Sequence, residues 1–316
     1  MSAFFRTPHS SCRFQMALRG MRIWRYIDEV AKAGSVRQGA DRVNITPSAL
    51  LRRIQDVEHD LGTPVFERHP SGMRLTAAGE LLLGWMRSQD ADLRRVYSQI
   101  AALSGMQRGE VSIACSQASQ AFVAEQANAF LRRYPNIKFS VNVTDHRTAQ
   151  KALTTFECDI AIIFQPFDSA DVSVLASVDQ ELVAVMAHDH PLAARETVRL
   201  DECGRYGVAL SHPALGGREQ LEEMLRATTE NINVVYESNS FAMLPNILSG
   251  TQVIGFHLAI GARDWRRDAR LAIRPVVNSE RASRPIILGQ LKGRTLPVAS
   301  AKFAEQVRNA LMDLAN

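Results

Sequence analysis

The sequence is short of several things, and each shortage excludes a class of function. Its four cysteines, Cys12, Cys115, Cys158 and Cys203, stand far apart. None forms a Cys-x-x-Cys pair and no Cys/His group has zinc-ligand spacing, so a structural metal and a disulfide framework are both excluded as expectations. A reduced, cytoplasmic chain fits best. No apolar run is long enough to span a membrane. The chain carries no Gly-x-Gly-x-x-Gly, no phosphate loop and no nucleophile elbow, and no cofactor is expected. No internal repeat and no low-complexity segment is present. Charge of one sign is not in large excess: the net charge is +4 over 316 residues. That balance permits an acidic partner such as DNA without demanding one.

What is present is an ordinary globular composition, 46% hydrophobic and 22% charged, in a chain long enough for more than one domain. Residues 1–20 hold Arg6, Arg13 and Arg19 but no continuous apolar core, and are expected to be a disordered extension rather than a secretory signal. Regular structure is expected from Met21. Ile23, Ile27 and Val30 form a helical stripe, Gly34-Ser35 breaks it, and Ser35 can cap a second helix to about Val43. Thr46-Pro47 then opens a third helix, with Leu50, Ile54, Val57 and Leu61 as its expected buried face. Two short extended runs around Pro70-Ser71-Gly72 suggest a wing. Thr76 caps a long helix to about Leu103. Its Leu82, Trp85, Leu93, Val96, Ile100 and Leu103 have coiled-coil-like spacing and call for a partner helix, hence a homodimer.

After Gly109 short β-rich runs alternate with amphipathic helices, the mark of a parallel sheet flanked by helices. The expected strands include 111–115, 138–144, 159–164, 181–187, 206–210, 233–238 and 252–256, with helices at 119–133, 147–156, 217–229, 241–249 and 299–315. Two α/β lobes are expected, roughly 109–180 plus 282–316 and 181–281, joined by crossing strands that leave a cleft.

Three helices, a sharp turn and a wing make a winged helix-turn-helix, whose third helix enters the major groove of double-stranded DNA. Ser35, Thr46, Pro47, Ser48, Leu51, Arg52, Arg53, Arg68 and Arg74 are the candidate contacts, alongside Gln55. Arg52 can pair bidentately with guanine, Ser48 suits a base or a phosphate, and Arg53, Arg68 and Arg74 suit phosphate or the minor groove. Asp56, Glu58 and Asp60 follow closely, so the same arginines also read as an ordinary solvated surface. Leu51 lies about 100° of helix turn from Leu50. It either meets a thymine methyl or tucks against the second helix near Gly39.

The run GSVRQGADRVNITPSALLRRIQDVEHDLGTPVFERHPSGMRLTAAGE resembles the N-terminal domain of the LysR-type transcriptional regulators. Gly34-Ser35, Ala40, Val43-Asn44, Ser48, Arg52, Ile54, Glu58, Leu61-Gly62, Val65 to Arg68, Leu75-Thr76 and Ala78-Gly79 occur in order and at that family's spacing. Tyr134-Pro135, Asp159 to Ile162 and His190 to Ala193 extend the likeness weakly toward the C-terminus. The resemblance implies a DNA-binding domain at 21–80, a dimerising linker helix at 77–108, and a two-lobed, periplasmic-binding-protein-like effector domain at 109–316. It further implies a homodimer assembled into a homotetramer on a near-palindromic operator. Pro47 and Leu51 stand where the family usually has polar residues, and Gly39 where it usually has alanine.

For the effector, Ser116, Gln117 and Ser119 follow one strand and Ser238, Asn239 and Ser240 another, each before a helix whose free N–H groups favour anions. The resemblance places both stretches in the effector site; for any single residue simple helix capping accounts equally well, while for the two clusters together binding in a cleft is the expectation. Arg218, Phe164 and Gln165 are further candidates, and an organic acid or amino acid is the expected ligand class. His188-Asp189-His190 lacks a third metal ligand. Two rivals remain, an enzyme and a transporter-type binding protein. The absence of a matched base or paired carboxylates speaks against the first, and the N-terminal helices against the second.

Overall fold

The computed structural model describes residues 10–315, apart from residues 71, 104–107, 165–169, 213–217, 219–220, 223–224, 227–232 and 278–283. The chain divides into two compact units, one up to Arg94 and one from Arg95.

In the first unit α1 (Ser10–Ala33), α2 (Val36–Val43) and α3 (Pro47–Leu61) are followed by the hairpin β1 (Phe66–His69) and β2 (Gly72–Leu75), then α4 (Ala77–Leu103). The first helix begins at Ser10, so residues 10–20 are helical rather than a disordered extension. Gln15, Met16, Ala17, Leu18 and Arg19 are strong helix formers, and no proline interrupts the run. The core gathers Tyr26, Ile27, Val30, Ala40, Leu50, Ile54, Val65, Phe66, Leu83 and Met86. The α3 stripe ends earlier than its spacing suggested. Leu50 and Ile54 are sealed, Val57 is half-buried, and Leu61 is 46% exposed, because Gly62 ends the helix beyond the reach of α1. Gly39 is a contact point. A Cβ there would lie 2.8 Å from Val30 Cγ2 and 3.1 Å from Val30 Cα, so the missing side chain lets α2 press against α1. Across the same core the Arg87 guanidinium of α4 meets Asp28 of α1 at 2.5 Å.

The second unit holds two sheets. In the first, β3 (Gly109–Cys115), β4 (Ile137–Val143) and β5 (Ile160–Phe164) run parallel in the order β4-β3-β5. Helices α5 (Gln120–Arg133) and α6 (His146–Thr154) connect them. The order continues with β13 (Arg284–Leu291) and β6 (Val172–Gln180), each antiparallel to its neighbour. The second sheet has the order β10-β9-β11-β7-β12-β8. It is built from β7 (Leu182–Ala187), β8 (Val198–Arg199), β9 (Val208–Ser211), β10 (Val234–Ser238), β11 (Ile254–Leu258) and β12 (Leu271–Val277). The strands of the first sheet thus lie in 109–180 and 284–291, those of the second in 182–277.

Some details differ from the sequence reading, the two-residue strand β8 among them. Strand β6 was not expected, although Ala176, Val178 and Gln180 alternate inward with exposed Ser177 and Asp179, the pattern of a one-sided strand. The helix expected at 241–249 is a tight turn at Phe241–Met243 followed by a short helix, Leu244–Leu248, because Pro245 suits only a first turn. The helix expected at 217–229 falls largely outside the described residues. The chain passes from the first sheet to the second through Glu181, whose carbonyl accepts from the Ala259 N–H at 2.9 Å, and returns between β12 and β13. The C-terminal helix (Val298–Ala315) closes the first lobe. At its start Asp159, 1% exposed, accepts from Arg294 Nη2 and from Ser300 Oγ, both at 2.7 Å.

Candidate nucleic-acid interface and effector cleft

The turn before α3 is set by its residues. Asn44 ends α2 in the left-handed conformation, and Thr46 begins α3 extended, its hydroxyl accepting from the Ala49 N–H at 3.3 Å. With Leu50 and Ile54 held in the core, the opposite side of the helix presents Pro47, Ser48, Arg52 and Gln55 to solvent. Leu51 is half-buried and is not part of the core cluster. The space left by the missing side chain of Gly39 faces Val30 of α1. Ser35 is half-buried and accepts from the Gln38 N–H at 3.5 Å.

The arginines do not act as one group. Arg52, Arg68 and Arg74 are exposed and make no hydrogen bond or ion pair to another described residue. Arg53 is tied down: Nη1 donates to the Tyr26 hydroxyl at 3.3 Å, and the guanidinium lies 5.2 Å from the centre of that ring. In the wing, Arg74 is paired with Glu67 and Arg68 with Met73. Cross-strand partners share a face and neighbours alternate, so Arg68 and Arg74 point to opposite faces. Glu58, which read as a counter-charge, accepts from the N–H groups of Val65 (2.8 Å) and Phe66 (3.1 Å) and fixes where the wing starts. The Met73 N–H donates to Gly34 O at 2.7 Å and pins the wing to the turn before α2.

On α4, Trp85, Val96, Ile100 and Leu103 are exposed, and so are Leu81 and Tyr97. Leu82 and Leu93 are half-buried. Trp85 also meets Trp24 edge-on with centroids 5.6 Å apart.

In the second unit the structure brings the two polar clusters together. Gln117 Nε2 donates to Asn239 O at 2.6 Å, and Gln117 Oε1 accepts from the Phe241 N–H at 3.2 Å. One side chain of the first lobe therefore holds two backbone groups of the second. Ser116 and Ser238 are half-buried at the rim, and Asn239 is exposed. Ser238 Oγ accepts from the Ser240 N–H at 3.1 Å and closes a local turn. Neither Ser116 nor Ser119 caps the helix with its side chain.

Three expected effector residues change standing. Ser119 is fully buried, its hydroxyl 3.0 Å from both Ile162 O and Ser116 O, so it joins strand to turn and faces no ligand. Arg218 is 7% exposed, and its Nε and Nη1 are committed to Glu222 (3.2 Å), Glu237 (3.1 Å) and the Ser211 carbonyl, so most of its charge is already answered within its own lobe. Phe164 packs against the first-lobe core. Gln165 lies outside the described residues.

Sequence reasoning also missed a cavity. It measures about 600 Å³ and is lined by Gln117 and Gln120, by Val141 and Val143 of β4, and by Phe241, His257, Asp264 and Trp265. His257 interrupts the otherwise apolar run VIGFHL, the one local sign that it differs from core.

Other candidates resolve simply. Burial pushes the Cys115 thiol up to about 11 and those of Cys158 and Cys203 to about 12, so none offers a reactive thiolate. His190 is buried and its Nδ1 accepts from the Leu192 N–H at 3.1 Å. Among the described residues no group of His, Cys, Asp or Glu could hold a metal, and no helix is long and apolar enough to cross a membrane.

Comparison with known proteins agrees with both units. Residues 21–80 match the family model described as "Bacterial regulatory helix-turn-helix protein, lysR family", and residues 104–312 match "LysR substrate binding domain". A probable nitrogen assimilation transcriptional activator from Synechococcus elongatus is 25% identical over 250 residues, 78% of this chain and 81% of that protein. Full-length CbnR, solved in complex with its target DNA, is 19% identical with a TM-score of 0.63, covering 92% of this chain and 99% of that one. The regulatory domain of Synechocystis CcmR, in complex with 2-PG, is 19% identical with a TM-score of 0.55, covering 66% and 98%.

Proposed function

The chain belongs to the LysR family of bacterial transcriptional regulators, and from that premise we propose how its own residues read DNA and sense a ligand. The observation that carries the reading is the bare start of α3. Pro47, Ser48, Arg52 and Gln55 face solvent while Leu50 and Ile54 lock the helix to its domain. Arg52 reads a base edge, Ser48 a base or phosphate, and Arg68 and Arg74 take phosphates on either side of the wing. Arg53 positions α3 against Tyr26 rather than meeting DNA. Dimers form through the exposed apolar stripe of α4, assemble into tetramers, and place paired α3 helices on a near-palindromic operator.

A small organic effector binds between the lobes at Ser116, Gln117, Ser238, Asn239 and Ser240. With Arg218 committed elsewhere, backbone N–H groups and hydroxyls hold it. Its differential affinity for two arrangements of the assembly sets the response. The protein acts in the cytoplasm, uses no cofactor and turns over no substrate. DNase I footprinting on the DNA upstream of its own gene tests the central claim. Protection of a near-palindrome is expected, lost on Arg52→Ala; no protection even at low salt would overturn it.

A further inference from the structure

His257 is an unusual residue to find in the middle of this fold. It sits on β11, 5% exposed, between the rings of Phe241 (centroids 4.4 Å apart) and Trp265 (5.0 Å, edge-on). Gly261 lies directly against it: a Cβ there would stand 2.0 Å from His257 Cε1, so no side chain fits between. His257 Nδ1 accepts from the Leu258 N–H at 2.8 Å. Burial pushes its pKa down to about 4, so the ring is neutral near pH 7. With Nδ1 accepting, the ring proton sits on Nε2.

No described residue accepts a hydrogen bond from that Nε2. Nor is it sealed away from solvent among the described residues. The ring lines the cavity of about 600 Å³, a volume within the range of small-molecule sites. A largely buried donor without a partner is unfavourable, and an acceptor placed in the cavity would offset that.

The rest of the wall sets the chemistry. Ala121, Ala124, Val141 and Val143 are small and apolar, and Phe241 and Trp265 supply flat surfaces. Gln117 is committed to the second lobe through both ends of its amide. The formal charge on the wall is Asp264, exposed at the rim. The neighbouring Arg263 is paired with Glu125 at 3.7 Å. The cavity therefore offers one buried donor, aromatic walls, the exposed Gln120 amide and a carboxylate, and among the described residues no Lys or Arg lines it.

We propose that this cavity is a second small-molecule site, for a flat aromatic compound that is neutral or singly positive, with its acceptor on His257 Nε2–H and its donor turned to Asp264. It shares Gln117 with the polar clusters assigned to the effector, and it does not depend on DNA binding. An occupant pressing on Phe241 acts on the backbone that Gln117 holds, which couples the site to the bridge between the lobes.

Benzamide and benzoate have the same size and differ in charge and in the benzamide N–H donor. Calorimetric titration of the full chain with each tests the proposal. Benzamide is expected to bind once per chain with Kd near about 1 mM, as its few atoms dictate. Benzoate should bind at least about tenfold more weakly, a difference of about 1.4 kcal/mol. Asp264→Asn, at an exposed position, should narrow that ratio by strengthening benzoate. His257→Leu should weaken benzamide about tenfold, and His257→Gln, which keeps a donor, should recover part of the loss. The proposal is overturned if benzamide fails to bind at about 10 mM, if benzoate binds as tightly, or if Asp264→Asn leaves the ratio unchanged. Asp264→Asn keeps the test decisive even if a His257 variant does not fold.

Discussion

Leu51 gives the sharpest test of how this regulator reads DNA. It is half-buried on α3, outside the core cluster, and the space left by the missing side chain of Gly39 faces Val30 of α1. Leu51→Ser should therefore cost about 1 kcal/mol of stability or less, the value of partial burial plus a small loss of helix propensity. Leu50→Ala, one residue away and fully buried, should cost about 2–5 kcal/mol. The DNA side is measured by replacing each operator thymine in turn with deoxyuridine, which lacks the C5 methyl group. If Leu51 contacts that methyl, one symmetric pair of replacements should weaken binding by about 1 kcal/mol per half-site, roughly fivefold. The Leu51→Ser protein should be blind to the same replacement. Competition anisotropy with both proteins and both DNAs closes a double-mutant cycle with a coupling of about 1 kcal/mol. A coupling below about 0.3 kcal/mol at every thymine, within the scatter of independent sites, would refute the contact. So would a Leu51→Ser protein that unfolds as readily as Leu50→Ala.

Two further outcomes concern the second unit. Asp159→Ala strands the buried Arg294 and removes the Ser300 acceptor, so urea unfolding should lose about 3–5 kcal/mol, part of which an added Arg294→Met recovers; a loss under about 1 kcal/mol would refute this. His257 is neutral when folded, with its pKa depressed to about 4 from an ordinary 6.5. Across that window the unfolded chain binds the extra proton. The stability it contributes is complete above pH about 6.5 and is lost as pH falls toward 4. Thermal melting at stepped pH should show His257→Gln flattening this acid limb, and identical pH slopes would contradict it.

Much of the architecture was legible because local signals coincide with tertiary ones. Thr46-Pro47 before a 3-4 apolar stripe marks α3, and the β-rich runs after Gly109 placed most strands of both sheets within a residue or two. What was not legible depends on partners remote in sequence. Ser119 reads as a cap until Ile162 O is found beside it, 43 positions on. Arg218 reads as a ligand anchor until Glu237 is seen to claim it. The alternation that marks β6 appears only in its second half, Ala176 to Gln180, although β13 pairs with the whole strand. Gly39 reads as a weak helix residue, and only the position of Val30 shows it to be a point of close approach. The cavity at His257 joins four stretches of chain that no local pattern connects.

The change of sheet at Glu181 has a mechanical consequence. Gln180 is still laddered to Arg284 in the first sheet, and Leu182 is already laddered to Leu258 in the second. Each ladder lies within its own lobe, so relative motion of the lobes falls on the backbone between Gln180 and Leu182 and on the return of the chain between Val277 and Arg284. A change in the angle between the lobes must therefore be absorbed by backbone dihedral angles at both passages. A ligand wedged beside Gln117 would thus be felt at two places in the backbone, 180–182 and 277–284, rather than at one.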